Sequence, residues 1–207
     1  MFVFRNIQRL FHEPPNTTGN YVLLIAHPDD ESMFFAPTLL NLRGRIKIIC
    51  LSHGDYDGLG TVRKQEMTKL CSKYGFELIL LNFQDNANWD TQDIVDVLYV
   101  TYLTSPFKTL ITFDSQGVSG HRNHISCYHA AILFSKSIYC KTMFLKSTNL
   151  ISKYFINFNI FKKHYIVSLS DYFEPVFMMF EHLSQLTWFR WMYISYSNYL
   201  SYNSYVE

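Results

Sequence analysis

The stretch Tyr21-Val22-Leu23-Leu24-Ile25-Ala26-His27-Pro28-Asp29-Asp30-Glu31 decides the fold of this chain. Its apolar run contains β-branched residues and predicts a buried parallel strand, after which a histidine and three acids follow at once. Pro28 favours an extended backbone at His27, so the histidine keeps the strand geometry. In open α/β sheets, ligands bind at the carboxyl ends of the strands. The stretch therefore predicts metal ligands and a proton acceptor at that edge of a sheet.

A simpler interpretation of the acids is structural. Asp29, Asp30 and Glu31 would begin the following helix, where negative charge is favourable, so each could be a cap or a first-turn charge. A single acid would need no other explanation. Three acids directly after a buried strand and a His-Pro pair favour a functional site.

A second polar cluster, Gly120-His121-Arg122-Asn123-His124, follows another apolar stretch. On a helix, His121 and His124 would face similar directions. A lone histidine would fit a surface or structural role, whereas a pair in a glycine-bounded loop that matches the first cluster indicates a site. Imidazole and carboxylate ligands suit zinc, and catalytic zinc usually has three protein ligands plus water. One aspartate and two histidines would complete that set, and the two clusters together indicate metal-assisted hydrolysis.

Elsewhere the chain alternates short strands with helices, which predicts right-handed crossovers and a mainly parallel sheet. Strands are predicted at 21–27, 46–51, 77–81, 109–113 and 165–169, and helices at 32–42, 61–74, 91–103, 123–136 and 172–183. A length of 207 residues suits one domain. The predicted fold class is therefore α/β, a single-domain Rossmann-like three-layer sandwich.

The composition narrows the function classes. A hydrophobic content of 48% with 17% charged residues excludes a disordered chain. A formal charge of +1 without a basic stripe gives no reason to expect a nucleic acid partner. Four widely spaced cysteines without a C-x-x-C pair argue against a thiolate zinc site or a disulfide framework, and fit a reducing compartment. No window offers about 18 uninterrupted apolar residues, so we expect a chain that does not cross a membrane unaided.

The last stretch of the chain is rich in aromatic residues. Trp188, Phe189 and Trp191 are followed by tyrosines at every third position from 193 to 205. A period of three drifts around a helix of about 3.6 residues per turn, so these tyrosines cannot share one face. Two interpretations remain open: an aromatic helix packed on the domain, or an interfacial belt, because tyrosine and tryptophan favour the headgroup level of a bilayer.

The paired motifs Ala26–Glu31 and Gly117–His124 resemble the LmbE-like family of zinc-dependent de-N-acetylases, and within it the eukaryotic PIG-L branch. Shorter matches to that branch are Met33–Pro37, Trp89–Asp90, Thr112–Asp114 and Gln185–Arg190. The resemblance covers nearly the whole chain. We divide the chain into an N-terminal extension at 1–19, an LmbE-like deacetylase domain at 20–185, and an aromatic C-terminal helix at 186–207 that is a candidate for the membrane interface.

The resemblance implies a Zn²⁺ enzyme, although another divalent metal would fit the same ligands. It would hydrolyse the N-acetyl group of GlcNAc-phosphatidylinositol to glucosaminyl-phosphatidylinositol and acetate. That reaction is the second step of GPI-anchor biosynthesis, at the cytoplasmic face of the endoplasmic reticulum membrane. By the same resemblance, His27, Asp30 and His124 would bind the metal. Asp29 would be the general base, and His121 would stabilise the oxyanion or protonate the leaving amine.

Two further residues, Arg63 and Asp114, each allow two interpretations. Arg63 matches a family R-x-x-E pattern and could bind the sugar or phosphate of the substrate, or form a salt bridge with Glu66 on one helix. Asp114 could orient a metal ligand from behind, or cap its loop.

Competing functions also follow from these residues. The same chemistry could act on a soluble GlcNAc conjugate. A non-catalytic, membrane-associated scaffold could instead keep the fold and the zinc as structure. The intact Asp29 argues against the scaffold, because a structural zinc site has no use for a base beside its ligands.

Overall fold

The computed structural model describes residues 18–149, 153 and 165–206. The strands are β1 (Thr18–Ile25), β2 (Arg43–Ser52), β3 (Glu77–Phe83), β4 (Thr109–Phe113), β5 (Lys141–Leu145), β6 (Tyr165–Ile166), β7 (Tyr202–Asn203) and β8 (Tyr205–Val206). The α-helices are α1 (Asp30–Phe34), α2 (Ala36–Asn41), α3 (Gly60–Tyr74), α4 (Thr91–Thr104), α5 (Arg122–Ser137), α6 (Glu174–Phe180) and α7 (Trp188–Tyr196).

Six strands form one sheet in the order β3-β2-β1-β4-β5-β8. β1 to β5 run parallel, and β8 is antiparallel at the edge beside β5. This arrangement confirms the predicted α/β class with a mainly parallel sheet. The chain adds β2 and β3 on one side of β1, then β4 and β5 on the other. The strand order therefore reverses between β1 and β4, and ligands of such sheets bind at the carboxyl ends of the strands at that point.

β1 and β4 lie in the centre of the sheet, where side chains on both faces are buried. All residues of Tyr21–Ile25 and of β4 are buried. Leu23 pairs with Ile48 of β2 on one side and with Ile111 of β4 on the other. Burying each such side chain stabilises the fold by about 1.5–3 kcal/mol. This rigid centre fixes the positions of the two polar clusters that follow β1 and β4.

Glycine is required where β1 and β2 begin to pair. Gly19 faces Gly44 in the register, and Gly44 has a φ of +115°. A Cβ at Gly44 would lie 2.2 Å from the Gly19 carbonyl oxygen. Both the backbone angle and the close approach exclude a side chain there.

The helix predicted over 32–42 is two helices, α1 and α2, separated at Phe35. Pro37 is the cause, because it has no N–H to donate to the Met33 carbonyl. The Tyr193 hydroxyl donates to that carbonyl at 2.5 Å instead, and the Asn203 amide donates to the Phe34 carbonyl at 2.7 Å. The break is therefore stabilised by side chains from the end of the chain.

The helix predicted over 186–207 is shorter: α7 ends at Tyr196, and the chain then returns to the domain through β7 and β8. Tyr205 pairs with Leu145 at the edge of the sheet and is buried. At the other end, β1 begins at Thr18, inside the predicted extension, while residues 1–17 lie outside the described part of the chain. None of the helices in the described ranges is long and apolar enough to span a bilayer.

Candidate active site

The acid Asp30 holds the loop that follows β1. Its Oδ2 accepts hydrogen bonds from the backbone N–H groups of Ala26 (3.1 Å) and His27 (2.9 Å). Burial alone would raise the pKa of Asp30, but the neighbouring His124 and His27 hold it well below its ordinary value. The second oxygen, Oδ1, faces the interior of the site and lies 3.2 Å from His124 Nε2.

A kinked turn after β4 positions His124. Within the turn Gly117–Gly120, Val118 has a φ of +63° and Gly117 a φ of +55°. The Gly117 carbonyl oxygen lies 3.1 Å from His124 Nδ1, and a Cβ on Gly117 would come 3.0 Å from the His124 Cβ. Because the carbonyl can only accept, Nδ1 is the donor in this contact, and Nε2 is left to face Asp30.

His121 is the N-cap of α5, and its Nδ1 accepts a hydrogen bond from the Asn123 N–H at 3.3 Å. Burial, together with the charges of His124 and His27, lowers the pKa of His121 to about 4. The ring is therefore neutral at pH 7 and carries its proton on Nε2, which makes it a hydrogen-bond donor toward the site.

The three imidazoles converge between the ends of β1 and β4. The ring centroid of His121 lies 4.8 Å from that of His27 and 4.7 Å from that of His124. One nitrogen from each ring lies within 4.8 Å of the others. His124 Nε2 is buried without a hydrogen-bond partner among the described residues, and Asp30 Oδ1 lies 3.2 Å from it. Unpartnered imidazole nitrogens beside a carboxylate fit a divalent metal such as zinc.

Asp85 is a member of the site that the sequence interpretation missed. It follows β3, and its Oδ1 lies 2.9 Å from His27 Nε2. Burial would lower the pKa of His27, but contacts with Asp30 and Asp85 outweigh burial and raise it to about 9. A signal was present, because Asp85 follows a predicted strand just as Asp29 and Asp30 do.

Asp29 lies beside this cluster in a strained conformation, with a φ of +120°. Its side chain is buried between two guanidinium groups. Arg63 Nη2 lies 3.3 Å from Oδ1, and Arg190 Nη2 donates to Oδ2 at 2.9 Å. A non-glycine residue keeps such a backbone angle only where its surroundings over-determine it, and such residues cluster at active sites.

Arg63 reaches the site from α3 and braces the loops around Asp29. Its Nη1 donates to the Gly54 carbonyl at 3.0 Å, and its Nη2 to the Pro28 carbonyl at 2.6 Å. The salt bridge considered with Glu66 does not form. Glu66 accepts hydrogen bonds from the backbone N–H and the hydroxyl of Ser184 instead, at 2.7 and 2.6 Å.

A buried ion pair lies behind Asp29. Glu31 Oε1 is 2.5 Å from His182 Nε2, and neither side chain is exposed. Glu31 Oε1 also accepts the Ser32 hydroxyl at 2.5 Å, and Oε2 accepts the Asp29 backbone N–H at 3.2 Å. Burial opposes both charges, yet the pKa of Glu31 is lowered by His182, and the pKa of His182 is raised by Glu31.

Asp114 stabilises the loop that follows β4. Its carboxylate accepts hydrogen bonds from the backbone N–H (2.7 Å) and the hydroxyl (2.5 Å) of Ser147. The Ser147 hydroxyl oxygen accepts the Val118 N–H at 2.8 Å. Asp114 therefore reaches His124 only indirectly, by fixing the turn whose Gly117 carbonyl contacts the imidazole.

These groups line a cleft of about 350 Å³. The predicted residues in its wall are His27, Asp29, Asp30, Arg63, His121 and His124, and the structure adds Asp85, Gln185 and Arg190. The two sequence clusters thus form one site, with a carboxylate–imidazole donor set beside a separate buried carboxylate. Such a set can hold a metal and move a proton within the same cleft.

Comparison with solved structures shows the fold. The N,N'-diacetylchitobiose deacetylase from Pyrococcus horikoshii matches with a TM-score of 0.62 at 17% identity, over 92% of this chain and 81% of that chain. The likeness shows that this chain shares the α/β fold of that deacetylase.

Comparison with sequences shows the family. Residues 22–135 match PIG-L, described as GlcNAc-PI de-N-acetylase. A Schizosaccharomyces pombe protein named as a probable N-acetylglucosaminyl-phosphatidylinositol de-N-acetylase is 35% identical over 84% of this chain and 82% of its own length. The Bos taurus protein named as that de-N-acetylase is 32% identical over 92% of this chain and 84% of its own length. The chain belongs to the PIG-L family and is a deacetylase.

Proposed function

We propose that this chain hydrolyses the N-acetyl group of GlcNAc-phosphatidylinositol, with zinc as its resident metal, in GPI-anchor biosynthesis. The observation that carries the proposal is the cluster of His27, His121 and His124, whose nitrogens lie within 4.8 Å of one another. Asp30 Oδ1 lies 3.2 Å from His124 Nε2, and Asp29 lines the same cleft. The names of the two relatives supply the substrate.

His27, Asp30 and His124 would hold the metal. Asp30 has one oxygen fixed by backbone N–H groups and the other directed at His124, which suits a carboxylate ligand of fixed orientation. The third imidazole, His121, is near enough to compete for this role. We assign it to the substrate instead, because its Nδ1 is engaged by the Asn123 N–H and its Nε2 carries a proton.

The reaction would use the remaining groups as follows. The bound metal would supply a Lewis acid that polarises a carbonyl and acidifies water. Asp29 would accept a proton from the attacking water and pass it to the departing nitrogen as the C–N bond breaks. His121 would donate a hydrogen bond from Nε2 to the developing oxyanion. The products are acetate and a free glucosamine amine.

The cleft suits the head of the substrate and not its lipid. A volume of about 350 Å³ is small for a pocket, so the acyl chains would stay outside. Arg63 lines the cleft, and its Nε has no hydrogen-bond partner among the described residues, so we propose it as a contact for the sugar or phosphate.

The lipid implies a peripheral membrane contact, which we place on α7. Trp188, Phe189, Trp191 and Met192 expose between 48% and 76% of their surfaces. Arg190, on the same helix, reaches the cleft. Large exposed aromatic and thioether side chains on one short helix suit the headgroup level of a bilayer. We propose the cytoplasmic face of the endoplasmic reticulum as the location, and the four free cysteines support a reducing compartment.

The test couples metal analysis to acetate release from GlcNAc-phosphatidylinositol in mixed micelles. Asp29→Asn should retain the metal while turnover falls by about 10²-fold or more. His124→Ala should lose the metal. Asp93→Asn, an exposed acid on α4, is the matched control and should behave as wild type.

Two results would contradict the proposal. Wild-type turnover in Asp29→Asn would reject Asp29 as the base. Acetate release from a soluble GlcNAc conjugate, with none from the lipid, would reject the substrate and favour the soluble alternative.

A further inference from the structure

The segment from His182 to Arg190 contacts the site at three separate points, although it is remote from both sequence clusters. Arg190 donates to the Asp29 carboxylate, and His182 contacts Glu31. Between them, Ser184 binds Glu66 on α3, one helical turn beyond Arg63. One short segment therefore binds the loop after β1 and the helix that braces it.

Two of these contacts meet at Asp29. At the side chain of Asp29, Arg190 donates to Oδ2 at 2.9 Å and Arg63 lies 3.3 Å from Oδ1, so both carboxylate oxygens are fixed. At the backbone of Asp29, the N–H donates to Glu31 Oε2, and the other oxygen of Glu31 contacts His182. That N–H belongs to the residue with the strained φ of +120°, so the hydrogen bond stabilises the unusual backbone angle.

We propose that Arg190 and His182 are positioning residues that fix the orientation of the Asp29 carboxylate. This inference rests on the proposed function, in which Asp29 handles the proton of the attacking water. A displacement of about 1 Å at such a group can cost about 10²-fold in rate. The proposal also explains why α7, an exposed and aromatic helix, has an arginine that turns inward.

Steady-state kinetics separate positioning from substrate binding. Arg190→Ala should lower kcat by roughly 10- to 100-fold with KM changed less than about threefold, because a misplaced base slows the chemical step. Arg190→Lys should recover part of kcat, since the ammonium can still meet one carboxylate oxygen. His182→Gln keeps a donor near the position of Nε2 and should exceed His182→Leu in kcat.

Lys73→Ala is the matched control. Lys73 and Lys69 both contact Glu181, the residue before His182, through exposed amines, so losing one lysine weakens the same segment without touching Asp29. Its kcat should equal that of wild type. A raised KM with unchanged kcat in Arg190→Ala would overturn the proposal and make Arg190 a substrate contact. Equal losses in Lys73→Ala and Arg190→Ala would also overturn it.

A second measurement does not depend on the substrate. In a double-mutant cycle of unfolding free energies, Arg190→Ala and Asp29→Asn should be clearly non-additive, because each removes the same contact. Additive effects would overturn the proposal even if the enzyme is active. Wild-type protein that releases no acetate from GlcNAc-phosphatidylinositol would instead refute the proposed function, while the cycle would still decide whether Arg190 holds Asp29.

Discussion

The buried pair of Glu31 and His182 gives a prediction whose size follows from the structure. His182→Leu removes an imidazole that contacts this fully buried carboxylate. Neutral donors remain, among them the Ser32 hydroxyl and the Asp29 N–H. Breaking a buried pair by removing one partner typically costs about 3–5 kcal/mol.

Protonation limits that cost. If the ionised form becomes too unfavourable, Glu31 takes up a proton, and from its ordinary pKa of 4.5 this costs about 3.4 kcal/mol at pH 7. We therefore expect His182→Leu to lower the free energy of unfolding by about 3–4 kcal/mol. For a chain of this length, that corresponds to a fall in Tm of roughly 6–16 °C.

The pH dependence has a definite sign. The folded pKa of His182 is raised, so its contribution is fully present below pH 6.5 and is lost as the pH rises through the folded value. In the variant, Glu31 must be neutralised, and at pH 5 this costs only about 0.7 kcal/mol. Over the same range the wild type gains about 1 kcal/mol or less from His182, which is smaller than the roughly 2.7 kcal/mol saved on neutralising Glu31. His182→Leu should therefore recover roughly half of its lost stability between pH 7 and pH 5.

Urea unfolding followed by circular dichroism measures both effects. A chelator should be present throughout, so that metal binding does not contribute to stability. Glu31→Gln combined with His182→Leu is the matched control, because the amide oxygen can still accept the Asp29 N–H while the charge is gone. This double variant should be more stable than His182→Leu alone at pH 7. A loss under about 1 kcal/mol in His182→Leu, or a loss independent of pH, would refute the reasoning.

Three further predictions concern the metal, the sheet and the membrane face. His121→Ala should keep wild-type metal content while kcat falls by about 10²- to 10³-fold, and loss of the metal would show that His121 is a ligand. Gly44→Ala should lower the free energy of unfolding by more than about 2 kcal/mol, because its Cβ would meet the neighbouring strand. Gly58→Ala, at a positive φ of +72° but with open space around its Cβ, should cost less, and equal losses would contradict the clash. Replacing Trp188 and Trp191 by serine should weaken vesicle co-sedimentation by at least about tenfold, and unchanged binding would remove α7 from the membrane face.

Much of the fold was accessible from sequence because its signals are local. The continuous apolar run at Tyr21–Ile25 predicted a buried parallel strand, and the alternation of elements predicted the sheet. The break at Phe35 was missed, although Pro37 marks it, because only Tyr193 and Asn203 make the freed carbonyls tolerable there. Such compensation comes from residues more than 150 positions away and leaves no local pattern.

The residues of the candidate site also divide into those that the sequence predicts and those that it does not. His27, Asp30, His121 and His124 follow two strands that the topology places side by side, so their convergence follows from strand order alone. Asp85 could have been found by the same rule, because it follows β3 at the same edge of the sheet.

Arg190 and His182 obey no such rule, since neither lies at the end of a strand. Their positions depend on how an irregular segment packs against α1 and α3 after the sheet has formed. A parallel sheet of this order can gather ligands for a metal from its strand ends, whereas the two guanidinium groups that contact Asp29 come from helices. The carboxylate needs donors from outside the sheet, and in this chain the C-terminal segment supplies one, Arg190. The same segment contacts Glu31 through His182, and Glu31 accepts the hydrogen bond from the Asp29 N–H. The segment from His182 to Arg190 therefore packs directly against the residues of the candidate site. A substitution in α7 that shifts Arg190 should slow the reaction even when every metal ligand is intact.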